Sequence, residues 1–161
     1  MKNKSLFRIL ALLLAAMVLL SGCVNPETFG TVRETSAVTE GTAISENGTY
    51  SSKEEVAEYL HQYGHLPSNY LTKKEAQELG WVSSEGNLWD VAPGMSIGGD
   101  RFGNREGLLP QAQGRKYYEC DIDFDGTYRN AKRIVFSNDG LVYYTEDHYQ
   151  SFQLLYGEDG P

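Results

Sequence analysis

From Tyr117 to Phe124 the chain alternates with a period of two. Tyr118, Cys120, Ile122 and Phe124 point one way and Tyr117, Glu119, Asp121 and Asp123 the other, the pattern of a half-buried strand. Glu119 is therefore expected on the open face. Asp125-Gly126 signals a turn, and Lys132 to Phe136 reads as a second strand. Antiparallel pairing of the two is expected to bring Arg133 beside Glu119, with Arg129 in the connection. Asn138-Asp139-Gly140 signals another hairpin, leading into a Tyr-rich strand over 141–145, and residues 152–156 suit a short last strand.

Upstream the period lengthens. A helix is predicted from Ser52, which forms a capping box with Glu55, and it carries Val56, Tyr59, Leu60 and Tyr63 inward before Gly64 ends it. A second helix begins at Thr72 with Glu75 as its box partner and runs to Gly80. Lys73 and Lys74 occupy its first turn, where the helix dipole disfavours cations. Such a lysine is either simply solvated or placed there for function. Trp81, Val82, Leu88, Trp89 and Val91 read as core or satellite-core residues in a short helix or turn between Gly86 and Pro93-Gly94, and Ser96 to Asp100 opens the sheet.

Before these elements, Lys2, Lys4 and Arg8 precede an apolar run from Ile9 to Leu20, the pattern of a targeting segment too short to span a bilayer. The run ends in Leu20-Ser21-Gly22-Cys23, which resembles the lipobox of bacterial lipoproteins. That resemblance implies lipidation of Cys23 after removal of residues 1–22; the alternative is an ordinary secretory signal with an incidental cysteine. Either way the domain is expected to work outside the cytoplasm, secreted, and on the lipoprotein reading tethered to the outer face of the membrane. Residues 23–48, rich in Thr, Ser and Glu, read as a disordered tether, 49–157 as the folded domain and 158–161 as an acidic tail. Cys120, on the apolar side of its strand, reads as a buried thiol.

The 161 residues carry a formal charge of −8, which argues against a broad positive surface for nucleic acid. Local distribution changes that picture. Of the ten Lys and Arg after residue 49, seven lie between 101 and 133, so a confined basic site in an acidic body is possible. By spacing alone Glu119 and the arginines read as a solvated ion pair, and the His residues lack partners at metal-ligand spacing. Asp121-x-Asp123-x-Asp125-Gly126 copies half of a calcium loop, but Lys132 stands where the bidentate Glu belongs. Neither a metal nor another cofactor is expected.

A resemblance adds chemistry to this pattern. The segments AEYLHQYGHLPSNYLTKKEAQELGW (57–81), GNLWDVAPGMSIGGDRFGNREG (86–107), Gly114-Arg115, Tyr128-Arg129-Asn130 and DHYQSF (147–152) are in register with the guanyl-preferring microbial ribonucleases, the barnase-like family. The resemblance covers about two thirds of the chain. It implies an α+β fold with N-terminal helices packed on one face of a twisted antiparallel β-sheet. It implies cleavage of single-stranded RNA 3′ of guanosine by metal-independent transesterification, with Glu119 as base, His148 as acid, and Arg129, Arg133 and Lys73 stabilising the phosphoryl group.

Phe102, Gly103, Asn104, Arg105 and Glu106 would read guanine, whose edge offers O6 as acceptor and N1–H and N2–H as donors, through main-chain N–H groups and the Glu106 carboxylate. Arg105 could instead support the loop or contact phosphate. Tyr149 would contact the bound nucleotide. Gly103 departs from the family's serine at that position, which bears on the loop's rigidity. A monomer with a barstar-like intracellular inhibitor as partner is implied as well. The competing class is a non-catalytic surface lipoprotein that keeps the fold as a binding module.

Overall fold

A computed structural model describes residues 43–158. The leader, Cys23, most of the tether and the tail from Asp159 lie outside the described residues. Helix α1 spans Lys53–Tyr63. At its start the Ser52 hydroxyl accepts from the Glu55 N–H at 3.4 Å and donates to the Glu55 carboxylate at 2.6 Å. At its end Gly64 takes φ 72°, a left-handed conformation that costs a glycine little, and its N–H donates to Leu60 O. The capping box at Thr72 also forms, and helix α2 follows over Lys73–Glu78. A 3-10 turn at Ser83–Glu85 and helix α3, Leu88–Val91, complete the helical half.

Six strands form one sheet in sequential order: β1 Tyr70–Leu71, β2 Ser96–Phe102, β3 Tyr117–Asp121, β4 Arg133–Ser137, β5 Val142–Thr145 and β6 Gln153–Tyr156. The strands from β2 to β6 pair antiparallel, as expected for this α+β class. The two-residue β1, absent from the sequence reading, pairs parallel with β2. A parallel neighbour needs a crossover, and α2 and α3 supply it.

Strand β3 is shorter than its alternation suggested. Asp123 adopts φ 54° and donates its N–H to Ser51 O at 2.9 Å, which ends the ladder after Asp121. Its carboxylate pairs with Lys132 at 2.7 Å, and that of Asp125 accepts from Thr127, so ordinary contacts occupy both calcium-loop positions.

The sheet is covered on both faces. On one side Val56, Ala57 and Leu60 of α1 pack on Cys120, Ile122, Ile134, Phe136 and Val142. On the other, Tyr117, Val135, Leu141 and Tyr143 form a second cluster with Leu109, joined by Phe102, Tyr149 and Phe152 from the loops. The face expected to be open is thus roofed, and Glu119 is only 8% exposed. A third cluster beside the sheet joins Ala76, Trp81, Leu88, Ala92, Ile97 and Phe124. Trp89, expected in the core or a satellite of it, lies at the rim of this third cluster, 40% exposed, and Val82 is 42% exposed. Trp89 presents its edge to Phe124 and donates its indole N–H to Met95 O.

Strand β2 can lie against β3 because Gly98 has no side chain. A Cβ there would sit 2.6 Å from the Cys120 Cβ and 2.7 Å from the Tyr70 ring. Overpacking of this kind costs about 1–3 kcal/mol. Gly98→Ala should lower the unfolding free energy by about that amount in urea titration; an unchanged midpoint would show that the β2–β3 contact can relax.

Candidate active site

The roofed face of the sheet carries its charges in an ordered way. Register pairs Asp121 with Arg133 and Glu119 with Val135, so Arg133 faces the aspartate and not the expected Glu119. Asp121 is 1% exposed and holds both arginines. Arg129 reaches it with two parallel bonds, Nε to Oδ2 and Nη2 to Oδ1, each 2.7 Å. Arg133 Nε lies 2.9 Å from Asp121 Oδ1, close enough for charge pairing though outside hydrogen-bond alignment. Its Nη1 donates to the carbonyls of Asn130 at 2.7 Å and Lys132 at 2.6 Å.

Burial pulls the Arg133 guanidinium below its ordinary value, opposed by Asp121. For Arg129 burial acts downward too, but hydrogen bonds and charge from Asp121 outweigh it and raise the group. Guanidinium groups stay protonated through either shift. Two fixed positive planes thus stand at one end of the face, held by a carboxylate that spacing did not single out.

Glu119 lies one pleat along β3. Its Oε1 contacts Lys73 Nζ and its Oε2 contacts the Tyr149 hydroxyl. Lys73 is therefore not simply solvated. Asp100, opposite Glu119 on β2, accepts the Lys73 backbone N–H at 3.0 Å and lies 3.9 Å from its ammonium. An acid at a helix start offsets the unfavourable placement of a lysine in the first turn.

Tyr149 also meets His148, ring centres 4.6 Å apart, and Phe102, centres 5.2 Å apart. Both His148 and Tyr149 have positive φ, 56° and 73°. Side chains rarely take that conformation unless their surroundings impose it. Here Asp147 imposes it: its carboxylate accepts from Thr145 Oγ1, the N–H groups of Gln150 and Ser151, and Ser151 Oγ, at 2.6 to 3.0 Å. The Tyr149 N–H donates to Thr145 Oγ1, and the His148 N–H to Ala131 O beside Arg129. The imidazole remains exposed at the mouth of the site. Hydrogen bonds from Ser151, first through its hydroxyl and then its backbone, hold the Asp147 carboxyl down to about 2.

The loop after β2 is built around Asn104. Its amide is buried, donating to Leu109 O at 2.8 Å and accepting from the Leu109 N–H at 3.0 Å. Its side chain therefore closes the loop and leaves base reading to the main chain, the role expected of this segment. Arg105 and Glu106 are exposed at the tip, and Gly103 is open enough to bring main-chain N–H groups against a flat ligand. Phe102 packs on Tyr149 and Phe152, which couples this loop to the His148 turn. No three His, Cys, Asp or Glu side chains among the described residues are grouped to hold a metal ion.

The sequence reading missed Asp100, Asp121 and Asp147. Only their position beside other candidates could have marked them. Asp121→Asn should lower the unfolding free energy by about 3–5 kcal/mol, because two buried guanidinium groups lose their counter-charge; a urea midpoint near wild type would show the arginines to be held by backbone alone. Asp147 has a depressed pKa, so its contribution to stability is complete above the unfolded carboxyl value of about 3.9 and is lost as pH falls towards 2. The stability difference between wild type and Asp147→Asn should accordingly shrink between pH 5 and about 2 in paired denaturation curves, and a constant difference would place the effect elsewhere.

A family model described as ribonuclease matches residues 53–156. A ribonuclease of Bacillus intermedius is 44% identical over 161 residues, covering 96% of this chain and 98% of that protein. A ribonuclease of Heyndrickxia coagulans is 58% identical over 100 residues, 62% of this chain and 92% of its own. Guanyl-specific ribonuclease St of Saccharopolyspora erythraea is 44% identical over 57 residues, 35% of this chain and 56% of that protein. With a site of this composition on this sheet, the chain belongs to the barnase-like microbial ribonucleases.

Proposed function

We propose that this ribonuclease cleaves single-stranded RNA on the 3′ side of guanosine, first by transesterification to a 2′,3′-cyclic phosphate and then by hydrolysis, without metal. The observation that supports the reading is that Tyr149, the neighbour of His148, reaches the Glu119 carboxylate, while Arg129 and Arg133 converge on Asp121 two residues along the same face. Glu119 takes the 2′-hydroxyl proton while His148 gives one to the departing 5′-oxygen. In the second step the roles reverse, with His148 taking a proton from water and Glu119 returning one to the 2′-oxygen.

Both Glu119 oxygens are engaged at rest, so substrate must release one of them. Lys73, 38% exposed at its side chain, is the mobile partner and would turn from the carboxylate to the phosphate. Arg129 and Arg133 are already oriented, and preorganised donors stabilise developing charge without reorganising during reaction. The carboxylate of Glu106 and the N–H groups of the loop from Gly103 take guanine, a preference supported by the partial match to a guanyl-specific relative. Phe102 and Tyr149 wall the bound nucleotide.

We further propose that the enzyme acts outside the cell, tethered through lipid on Cys23, and that a barstar-like acidic protein blocks its cationic site inside the cell. The leader pattern and the placement of Arg129, Arg133 and Lys73 support these two readings. Cleavage of a guanylyl-uridine dinucleotide should survive EDTA. Glu119→Ala and His148→Ala should each lower kcat/KM by about 10²- to 10⁴-fold. Full turnover by both variants would remove the assigned roles, and an inert, well-folded wild type would favour the non-catalytic binding module.

A further inference from the structure

A cleft of about 650 Å³ lies on the side of the sheet opposite Glu119. Tyr118 and Phe136 line it, and each alternates with residues of the catalytic face: Tyr117 and Glu119 flank the first, Val135 and Ser137 the second. Their rings stack, with centres 5.6 Å apart and planes 29° apart. Across the register from Tyr118 stands Arg101, whose guanidinium carbon lies 5.4 Å from the tyrosine ring centre. Arg101 is exposed and lies over the Tyr118 ring of this stacked pair. Gly98 and Gly99 form part of the cleft wall, and Ser68, Ser137, Asn138, His65 and Glu75 supply polar groups.

Charge selects the occupant. In a chain of net charge −8, most cations described above lie against carboxylates: Lys73, Arg115, Arg129, Lys132 and Arg133 each have one. Arg101 and Lys116 are exposed, and no carboxylate among the described residues lies within ion-pair distance of either. Lys116 precedes β3 on the same alternation as Tyr118, and its N–H is fixed by the Asn138 side chain at 2.6 Å. Glu75 is engaged by the N–H and hydroxyl of Thr72 in the capping box, at 2.8 and 2.7 Å. An exposed guanidinium over an aromatic ring, with an exposed lysine at the start of the neighbouring strand, is a combination suited to stacking a base and neutralising its phosphate.

We propose that this reverse face is a subsite for single-stranded RNA outside the cleaved dinucleotide, with a base on Tyr118 and Phe136, which line the cleft, and phosphates at Arg101 and Lys116, which stand outside its lining. It rests on the ribonuclease reading only in naming the strand that is also cut. Strand β1 covers β2 only at Ser96 and Ile97, so the chain of nucleotides has an edge to pass over between the two faces.

The test compares Arg101→Ser/Lys116→Ser with a control of equal charge change on α1 and α2, Lys53→Ser/Lys74→Ser. At low salt, the first variant should keep wild-type kcat/KM on guanylyl-uridine and lose at least about fivefold on a 20-nucleotide uridine strand with one central guanosine. The control should keep both values. Unchanged cleavage of the 20-mer, equal losses on both substrates, or an equal loss in the control would overturn the subsite. Binding of a fluorescent 20-nucleotide oligouridine to Glu119→Gln protein separates this proposal from the cleavage chemistry. Adding Arg101→Ser/Lys116→Ser should weaken that binding about fivefold or more even if neither substrate is cut; unaltered affinity would remove the subsite whatever the fate of the mechanism.

Discussion

One buried carboxylate sets the electrostatics of this molecule. Asp121 is nearly inaccessible, and two arginines from different segments converge on it. Taking one acid and two guanidinium groups out of water is costly, and their attraction returns that cost only when geometry and further hydrogen bonds are good. Here the further bonds come from the carbonyls of Asn130 and Lys132, so the connection between β3 and β4 is ordered around its charges. The excess positive charge of the cluster then faces the space next to Glu119. The proposed phosphate-binding role would make a structural ion cluster and an anion-receiving surface two aspects of the same side chains.

Glu119 gives the complementary case. Its neighbours are a lysine and a phenol, partners that can leave, whereas Asp121 has partners that are anchored. Two carboxylates two residues apart on one strand therefore serve different ends because of what the register puts across from them: Arg133 for one, Val135 for the other. No arginine stands directly opposite Glu119, which is what its proposed role as base requires. The arginine expected beside it is two pairs further along.

Local rules made much of this visible in the sequence. Ser52 with Glu55, Thr72 with Glu75 and Gly64 declared the helix ends, since capping depends on neighbours in the chain. Alternation placed Glu119 and Asp121 on one face correctly. What it could not supply was register, because the pairing of β3 with β4 depends on a connection whose path is set by Asp121 itself. Nor could it show that Leu109, Phe102, Tyr149 and Phe152 return to roof that face, which depends on long-range packing. Asp147 was obscure for a similar reason: its four bonds come from a turn with left-handed residues, which no period describes. The identities of Glu119, His148, Arg129 and Lys73 came from family resemblance and not from spacing.

Strand β3 shows how so small a domain keeps these demands apart. Tyr118, Cys120 and Ile122 look toward the helix-bearing side, while Tyr117, Glu119 and Asp121 look toward the site. Shifting the register by one residue would move every charge into the apolar core and every core residue into the site. Gly98 permits only one close approach of β2 to this strand, since any side chain there meets Cys120 and Tyr70. The buried thiol and the missing side chain beside it therefore do more than fill space: they hold the strand in the one setting where Glu119 and Asp121 both face the site.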